Sequence, residues 1–248
     1  MQPPVLILHA PGTNRDGDAA AAVAQAGGSP VIRTLSQLRK NHTAWLDYTL
    51  LILPGGFSFG DALGAGRLWA LELLTWFEDQ LNGFIQSGHP VLGICNGFQA
   101  LVKTGVLPGD SIPATLTFNA SGRFECRWVA LKPDPSNPSP WLSGIERIDC
   151  PVAHGEGRFL TQNGKQLALE QKALVYLKGD GQPANGSYPA NPNGSPDDIA
   201  GVTNPDGNVL GLMPHPEDFI HPYQHPNWSR QAESASGLAL FRNGLYKF

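Results

Sequence analysis

The stretch Gly93-Ile94-Cys95-Asn96-Gly97 lies between a short apolar run and a segment of helical pattern that starts at Phe98. A strand that passes straight into a helix forces its central residue toward a strained conformation. Glycines at 93 and 97 remove the side chains that would clash there, which is the setting of a nucleophile elbow. A thiol in that place sits at a helix N-terminus, where unpaired N–H groups and the dipole favour thiolate. An unperturbed thiol, with a pKa of about 8.5, is only slightly ionised at neutral pH, so a nucleophilic Cys95 needs that positive end or a nearby imidazole. Cysteine as a residue type is more often a buried spacer. The Gly-x-Cys-x-Gly frame after an apolar run makes Cys95 a candidate nucleophile instead.

Of the seven histidines, His215 in "LMPHPED" has the most telling surroundings. Pro214 and Pro216 predict an extended segment, in which residues two apart face the same side. Glu217 would then orient the imidazole, and His215 would serve as base toward Cys95 and as acid toward a leaving amine. His154, in "AHGEGRF", is a rival base, with Glu156 also two residues on; its milder reading is a binding loop beside the site. Gly55-Gly56 closes an apolar run and is either an ordinary turn or a source of backbone N–H groups for an oxyanion, together with the amide of Asn96. His221 and His225 have helical metal-pair spacing, but prolines interrupt "HPYQHP", and no metal site is expected. "GGFSFGDALGAG" lacks the Gly-Lys-Ser/Thr ending of a phosphate loop.

The elements that must hold these residues follow from apolar pattern. "VLILHAPG", "YTLLILPGGFS" and "VLGIC" are short continuous apolar runs closed by Pro or Gly, the signal of strands buried on both faces. An Ala-rich helix ended by Gly27-Gly28 and a strand around Val31 to Thr34 follow the first run. Leu68, Leu71, Leu74, Phe77, Leu81 and Phe84 recur at three- and four-residue steps and predict a single helix with one apolar stripe. This βαβ rhythm predicts a parallel sheet. In the second half, "TFNASGRFECRWVALKP" and "CPVAHGEGRFLT" read as antiparallel strands, "ALVYLK" and "GNVLGLMPHPE" as further strands, and "GDGQPANGSYPANPNGSPDD" as a long loop. No linker separates two complete cores, so residues 1–248 are expected to form a single mixed-sheet domain.

The 248 residues carry a net charge of −4 with no basic tract, which argues against nucleic acid or an anionic membrane as main partner. Three cysteines with no CxxC pair speak against a disulfide framework or thiolate zinc site, and for a cytoplasmic protein. No apolar run reaches the roughly 18 residues of a membrane span, and the N-terminus lacks a signal-peptide pattern.

At these residues the sequence resembles the class I (triad-type) glutamine amidotransferases, and more narrowly the glutaminase of phosphoribosylformylglycinamidine synthase. The likeness runs nearly end to end: "APGTNRDGD", "LPGGFSFGDALGAG", "GICNGFQAL", "AHGEGRF", "YPANPNGSPDDIAGVTNPDGNVLGLMPHPE" and the closing "HPNW" and "LFRNG" occur in order. The resemblance implies a flavodoxin-like α/β fold, an open, mostly parallel mixed sheet with helices on both faces. It implies Cys95 as the nucleophile that forms a glutamyl thioester, His215 as base, Glu217 as its orienter, and Gly56 and Asn96 as oxyanion donors. Phe57, Gln99, His154 and Glu156 would stand near the substrate, L-glutamine. Ammonia would pass to a synthetase subunit that carries the ATP and Mg, a small accessory subunit being a further candidate partner, and this chain would hold no cofactor. "GDALGAGRLWA" and "HPNW" look more like the glutaminase portion of the long single-chain synthase, yet Met1 and the lack of a synthetase favour a free-standing subunit. Asp218 stands where the family usually has arginine. Other readings of the same elbow are the glutaminase of another class I amidotransferase, a cysteine peptidase or deglycase, and a non-catalytic regulatory module.

Overall fold

The computed structural model describes residues 2–40, 42–109, 112–230 and 236–248. In chain order the strands are β1 (Pro4–His9), β2 (Ser29–Thr34), β3 (Leu50–Leu53), β4 (Val91–Ile94), β5 (Ala114–Thr117), β6 (Glu125–Pro133), β7 (Ile148–His154), β8 (Arg158–Thr161), β9 (Lys172–Leu177), β10 (Ile199–Thr203) and β11 (Val209–Leu212). The α-helices are α1 (Asp16–Ala26), α2 (Leu35–Leu38), α3 (Arg67–Trp76), α4 (Glu78–Gln86), α5 (Asn96–Lys103) and α6 (Leu238–Tyr246).

Nine strands form one sheet in the order β2-β1-β3-β4-β11-β10-β9-β6-β7, and β5 pairs with β8 in a separate ribbon. The five strands from β2 to β11 run parallel, and the rest are antiparallel. The apolar runs explain the parallel half. Val5–Leu8, Leu50–Leu53 and Val91–Ile94 are fully buried, as strands covered on both faces must be. Helix α1 packs on β1, β2 and α6, while α5 packs on β3, β4 and α3. Order 2-1-3-4 followed by β11 is that of a flavodoxin-like doubly wound sheet.

Glycine terminates α1 as its position predicts: Gly27 adopts φ 102° and its N–H bonds the Ala24 carbonyl. The single helix predicted over Leu68 to Phe84 is instead two. Phe77, with φ −138°, ends α3 and starts α4, and its ring is fully buried. The break rephases the stripe, so α3 buries Trp69, Ala70 and Leu73 while Leu71 is 58% exposed. Strand β10 and helix α6 escape the apolar-pattern reading. β10 is five residues interrupted by Gly201, where a Cβ would lie 2.7 Å from the Gly211 carbonyl oxygen of the paired strand. Helix α6 is short but seals the core, with Asn243 Nδ2 donating to the Trp141 carbonyl at 2.8 Å. No helix of the described residues is long and apolar enough to cross a membrane.

Three neighbouring parallel strands end side by side. Leu53 pairs with Gly93 and Ile94 pairs with Leu212, so the segments after β3, β4 and β11 emerge together at the carboxyl edge. Open α/β sheets bind ligands at that edge. Edge strand β7 comes back onto the same place, where the His215 N–H donates to the Pro151 carbonyl at 2.8 Å.

Candidate active site

Cys95 follows β4 directly and caps α5 with φ 49° and ψ −104°, a left-handed backbone for a residue with a side chain. Neighbours hold that strain in place. The Cys95 N–H donates to the Leu212 carbonyl at 2.8 Å, and its carbonyl accepts from the Gln99 N–H at 3.0 Å. Gly97 is essential for the approach, since a Cβ there would stand 1.9 Å from the Leu53 carbonyl oxygen. The elbow predicted from Gly-x-Cys-x-Gly is therefore present. Its thiol is 4% exposed, with Sγ 3.8 Å from the Ala153 carbonyl oxygen.

His215 and Glu217 meet as expected, by a different backbone route. Pro216–Asp218 is a single 3₁₀ turn, with proline at its first position. The turn, rather than an extended chain, brings the Glu217 carboxylate back to the ring, where Oε1 lies 2.7 Å from His215 Nδ1. Both side chains are buried. Among the described residues no group makes an aligned hydrogen bond to Nε2, which faces the Cys95 thiol. Burial alone would pull the imidazole down. The charges of Glu217 and Cys95 outweigh it and hold His215 well above its ordinary value.

The loop after β3 supplies the third part. Gly56 has φ 141°, closed to most side chains, and bridges to Thr13. Loop 11–15 braces it from behind: the Phe57 N–H donates to Gly12, the Phe59 N–H to Pro11 and the Arg15 N–H to Gly55. Among the described residues no backbone acceptor takes the Gly56 N–H. The Asn96 N–H, first in α5, has no intrahelical acceptor either. The Asn96 side chain is a brace: Oδ1 accepts from the Ser58 N–H, and Nδ2 donates to Asp61 and Gln99.

A cavity of about 140 Å³ opens over the thiol, lined by Gly56, Phe57, Cys95, Gln99, His154 and Glu156 among others. All four residues expected near a substrate thus border it, whereas His215 and Glu217 are not among its lining residues. Gln99 is already engaged, accepting from Asn96 at 2.9 Å and donating to the Glu156 carbonyl at 2.6 Å. It ties the elbow helix to the loop between β7 and β8. His154 is buried with its ring over Gly157, and Nδ1 lies 3.1 Å from Asn119 Oδ1. Burial and then the charge of His215 push it down to about 3, so it stays neutral at working pH. Phe57 lies at the rim, 45% exposed, stacked on Phe124.

Sequence reading missed Asp61, Phe118 and Phe124 in the lining, and Arg15 beside the triad turn. Asp61 sits in "GGFSFGDALGAG", where it is a lone carboxylate in a glycine-rich loop, with no local pattern that marks it. Burial and then the charge of Glu156 push Asp61 above the usual carboxylate range. The "YPANPNGS" segment serves as scaffold: Asn193 Nδ2 donates to the Tyr176 hydroxyl, and Ser195 Oγ accepts from the Phe159 N–H on β8. His221 stacks on Tyr223 and His225 packs against Trp128. Among the described residues no group of three or more His, Cys, Asp or Glu is placed to hold a metal ion.

The CobB/CobQ-like glutamine amidotransferase domain matches residues 2–247. The chain is 51% identical over 242 residues to the phosphoribosylformylglycinamidine synthase subunit PurQ of Treponema denticola, covering 89% of each. It is 41% identical to the PurQ subunit of Dehalococcoides mccartyi, covering 97% of this chain and 95% of that one. Its fold is similar to a chain in the structure of PurLQS from Thermotoga maritima, with TM-score 0.76, 32% identity and coverage of 100% and 99%. With an end-to-end match and an elbow, turn and glycine loop converging on one thiol, the chain belongs to the CobB/CobQ-like glutamine amidotransferase family, alongside the PurQ subunits of phosphoribosylformylglycinamidine synthase.

Proposed function

We propose that the chain hydrolyses L-glutamine at Cys95 as the glutaminase component of a phosphoribosylformylglycinamidine synthase, in purine biosynthesis. The observation that carries this is the strained Cys95 at the start of α5, facing an imidazole locked 2.7 Å from a buried carboxylate. The thiolate attacks the side-chain amide carbon, and the Gly56 and Asn96 N–H groups receive the developing oxyanion. His215 gives its proton to the departing ammonia, leaving a glutamyl thioester. It then takes a proton from the water that attacks the thioester, and glutamate leaves as the thiol is restored. His154 is a poor base beside it, because its surroundings favour the neutral ring and its Nδ1 is already held.

The cavity suits a single amino acid. Its 140 Å³ is well below the roughly 300–1,000 Å³ of pockets for larger ligands. Asp61 and Glu156 repel each other across it and suit an α-ammonium group between them. Ammonia passes to a synthetase partner that holds the ATP and Mg, in the cytoplasm, with a small accessory subunit completing the assembly; this chain supplies no cofactor. The test is glutamine hydrolysis by the purified chain with and without that synthetase, together with the mass of a glutamyl adduct on Cys95. Activity should be slow alone, faster in the complex, and absent in Cys95→Ala. Undiminished hydrolysis by Cys95→Ala would sink the assignment.

A further inference from the structure

We infer that Arg15 is a positioning residue for the triad, acting through an ion pair with Asp218. The inference rests on reading Cys95, His215 and Glu217 as the reacting triad. Arg15 lies in the loop after β1, more than two hundred positions from the turn that carries Glu217. Its Nη1 nevertheless reaches Asp218 Oδ1 at 3.0 Å, and the same nitrogen meets Asp18 at 3.1 Å. Asp218 is the residue after Glu217 and closes the same 3₁₀ turn.

Arg15 holds the oxyanion loop at the same time. Its N–H donates to the Gly55 carbonyl at 3.3 Å. The missing side chain of Gly55 leaves room for both: a Cβ built there would stand 2.6 Å from His215 Cε1 and 3.5 Å from Arg15 Cγ. The stem of Arg15 and the His215 ring therefore meet over one glycine, next to Gly56. One residue, through its backbone N–H and its guanidinium, ties together the loop after β1, the loop after β3 and the turn after β11. Those are the segments whose mutual distances decide whether base, thiol and oxyanion donors are in register.

The charge has a second use. Glu217 and Asp218 are adjacent carboxylates; Arg15 faces them both from the loop after β1, opposite the His215 ring. Without Arg15 the turn would hold two neighbouring negative charges beside a buried imidazole, and Asp218 would be free to protonate or swing toward solvent. Glu217 would lose its fixed approach to Nδ1. Arg15 touches no reacting atom, so its effect should appear in the chemical step and not in substrate binding. The pair is also partly exposed, with Arg15 36% and Asp218 17% accessible, so its contribution to fold stability is small.

The test uses the full chain with its synthetase partner and four variants: Arg15→Met, Arg15→Lys, Asp218→Asn and the Arg15→Met/Asp218→Asn double. Arg15→Met should lower kcat for glutamine hydrolysis about tenfold, with KM within about twofold and the melting temperature within about 3 °C of the parent. Arg15→Lys should recover most of the loss, because it restores the charge on a similar stem. The double variant should lose no more than the worse single, as expected of residues that act as one unit. Iodoacetamide alkylation of Cys95 at neutral pH reads the same positioning without glutamine, so a failure of the glutaminase reading would be told apart. Slower alkylation in Arg15→Met, restored in Arg15→Lys, supports the inference. Parent-like kcat and alkylation in Arg15→Met overturn it, as does a loss that tracks unfolding or that Arg15→Lys leaves uncorrected.

Discussion

Gly55→Ala isolates the register of His215 from the rest of the fold. Gly55 has no left-handed φ, so alanine suits its backbone. What alanine does not suit is the ring in front of it, since its Cβ would stand 2.6 Å from His215 Cε1 and 3.3 Å from Nδ1. Carbon atoms in contact prefer about 3.5–4.0 Å, so the ring must recede by about 1 Å. It has little room, because His215 is buried and its Nδ1 is tethered to Glu217 at 2.7 Å. Overpacking of this size costs about 1–3 kcal/mol of stability, which a chain of this length tolerates. A displacement of about 1 Å in a catalytic group costs about a hundredfold in rate, or about 2.7 kcal/mol in activation free energy. Steady-state glutamine hydrolysis in the complex, alongside thermal unfolding, reads both quantities. Gly83→Ala serves as control: it lies in α4 with nothing within 4 Å of the added Cβ, and should stabilise by about 0.5–1 kcal/mol without changing activity. A folded Gly55→Ala protein whose kcat stays within about threefold of the parent would refute the claim that the glycine sets the His215 position.

Three shorter predictions follow from the same geometry. His215→Ala should abolish thioester formation on Cys95, whereas His154→Ala should lose much less; the mass of the trapped adduct decides, and the reverse order would make His154 the base. Asp218 is pushed up to about 6 by burial and then by Glu217, from an ordinary 3.8. Its folded state therefore holds a proton that the unfolded chain releases, and stability falls as pH rises from about 4 to about 6. Asp218→Asn should remove that decline and be more stable at pH 7.5 by about 1–2 kcal/mol after solvent screening, whatever it does to activity. Unfolding curves at pH 4.5 and 7.5 measure this, and an Asn variant less stable at 7.5 contradicts it. Gln99→Leu should loosen the loop between β7 and β8, because the Asn96 amide and the Glu156 carbonyl both lose a partner. Amide exchange around residues 154–157 should quicken and glutamine KM rise, and unchanged exchange would show that Gln99 does not clamp the loop.

The amino-acid sequence alone determined those features whose cause is local. Continuous apolar runs at Val5–Leu8, Leu50–Leu53 and Val91–Ile94 require strands covered on both faces, and they are. Gly27 ends α1 because only glycine takes its φ of 102° without cost. Gly93 announced the elbow because its close approach is to Gly97 and Phe98, its neighbours in the chain, whereas Gly97 makes room for Leu53 on the adjacent strand. The pairing of His215 with Glu217 was also legible from proximity, although the proline suggested an extended segment and the chain makes a 3₁₀ turn.

Tertiary structure decided what depends on strand order. No spacing in the sequence says that β11 lies beside β4, yet that neighbour relation is what brings His215 to Cys95. The helix break at Phe77 belongs here too: periodicity continued across it, and the fit of α3 and α4 against the core rephased the stripe. Strand β10 is buried by its partners on either side rather than announced by its own five residues. Asp61, Gln99 and Arg15 have partners distant in sequence, so their types alone carried no sign of them. Reactivity was written in a short segment around one cysteine. Its positioning was distributed over loops that meet only when the sheet has closed, because charge pairs and glycine contacts act over a few ångströms of space and not along the chain.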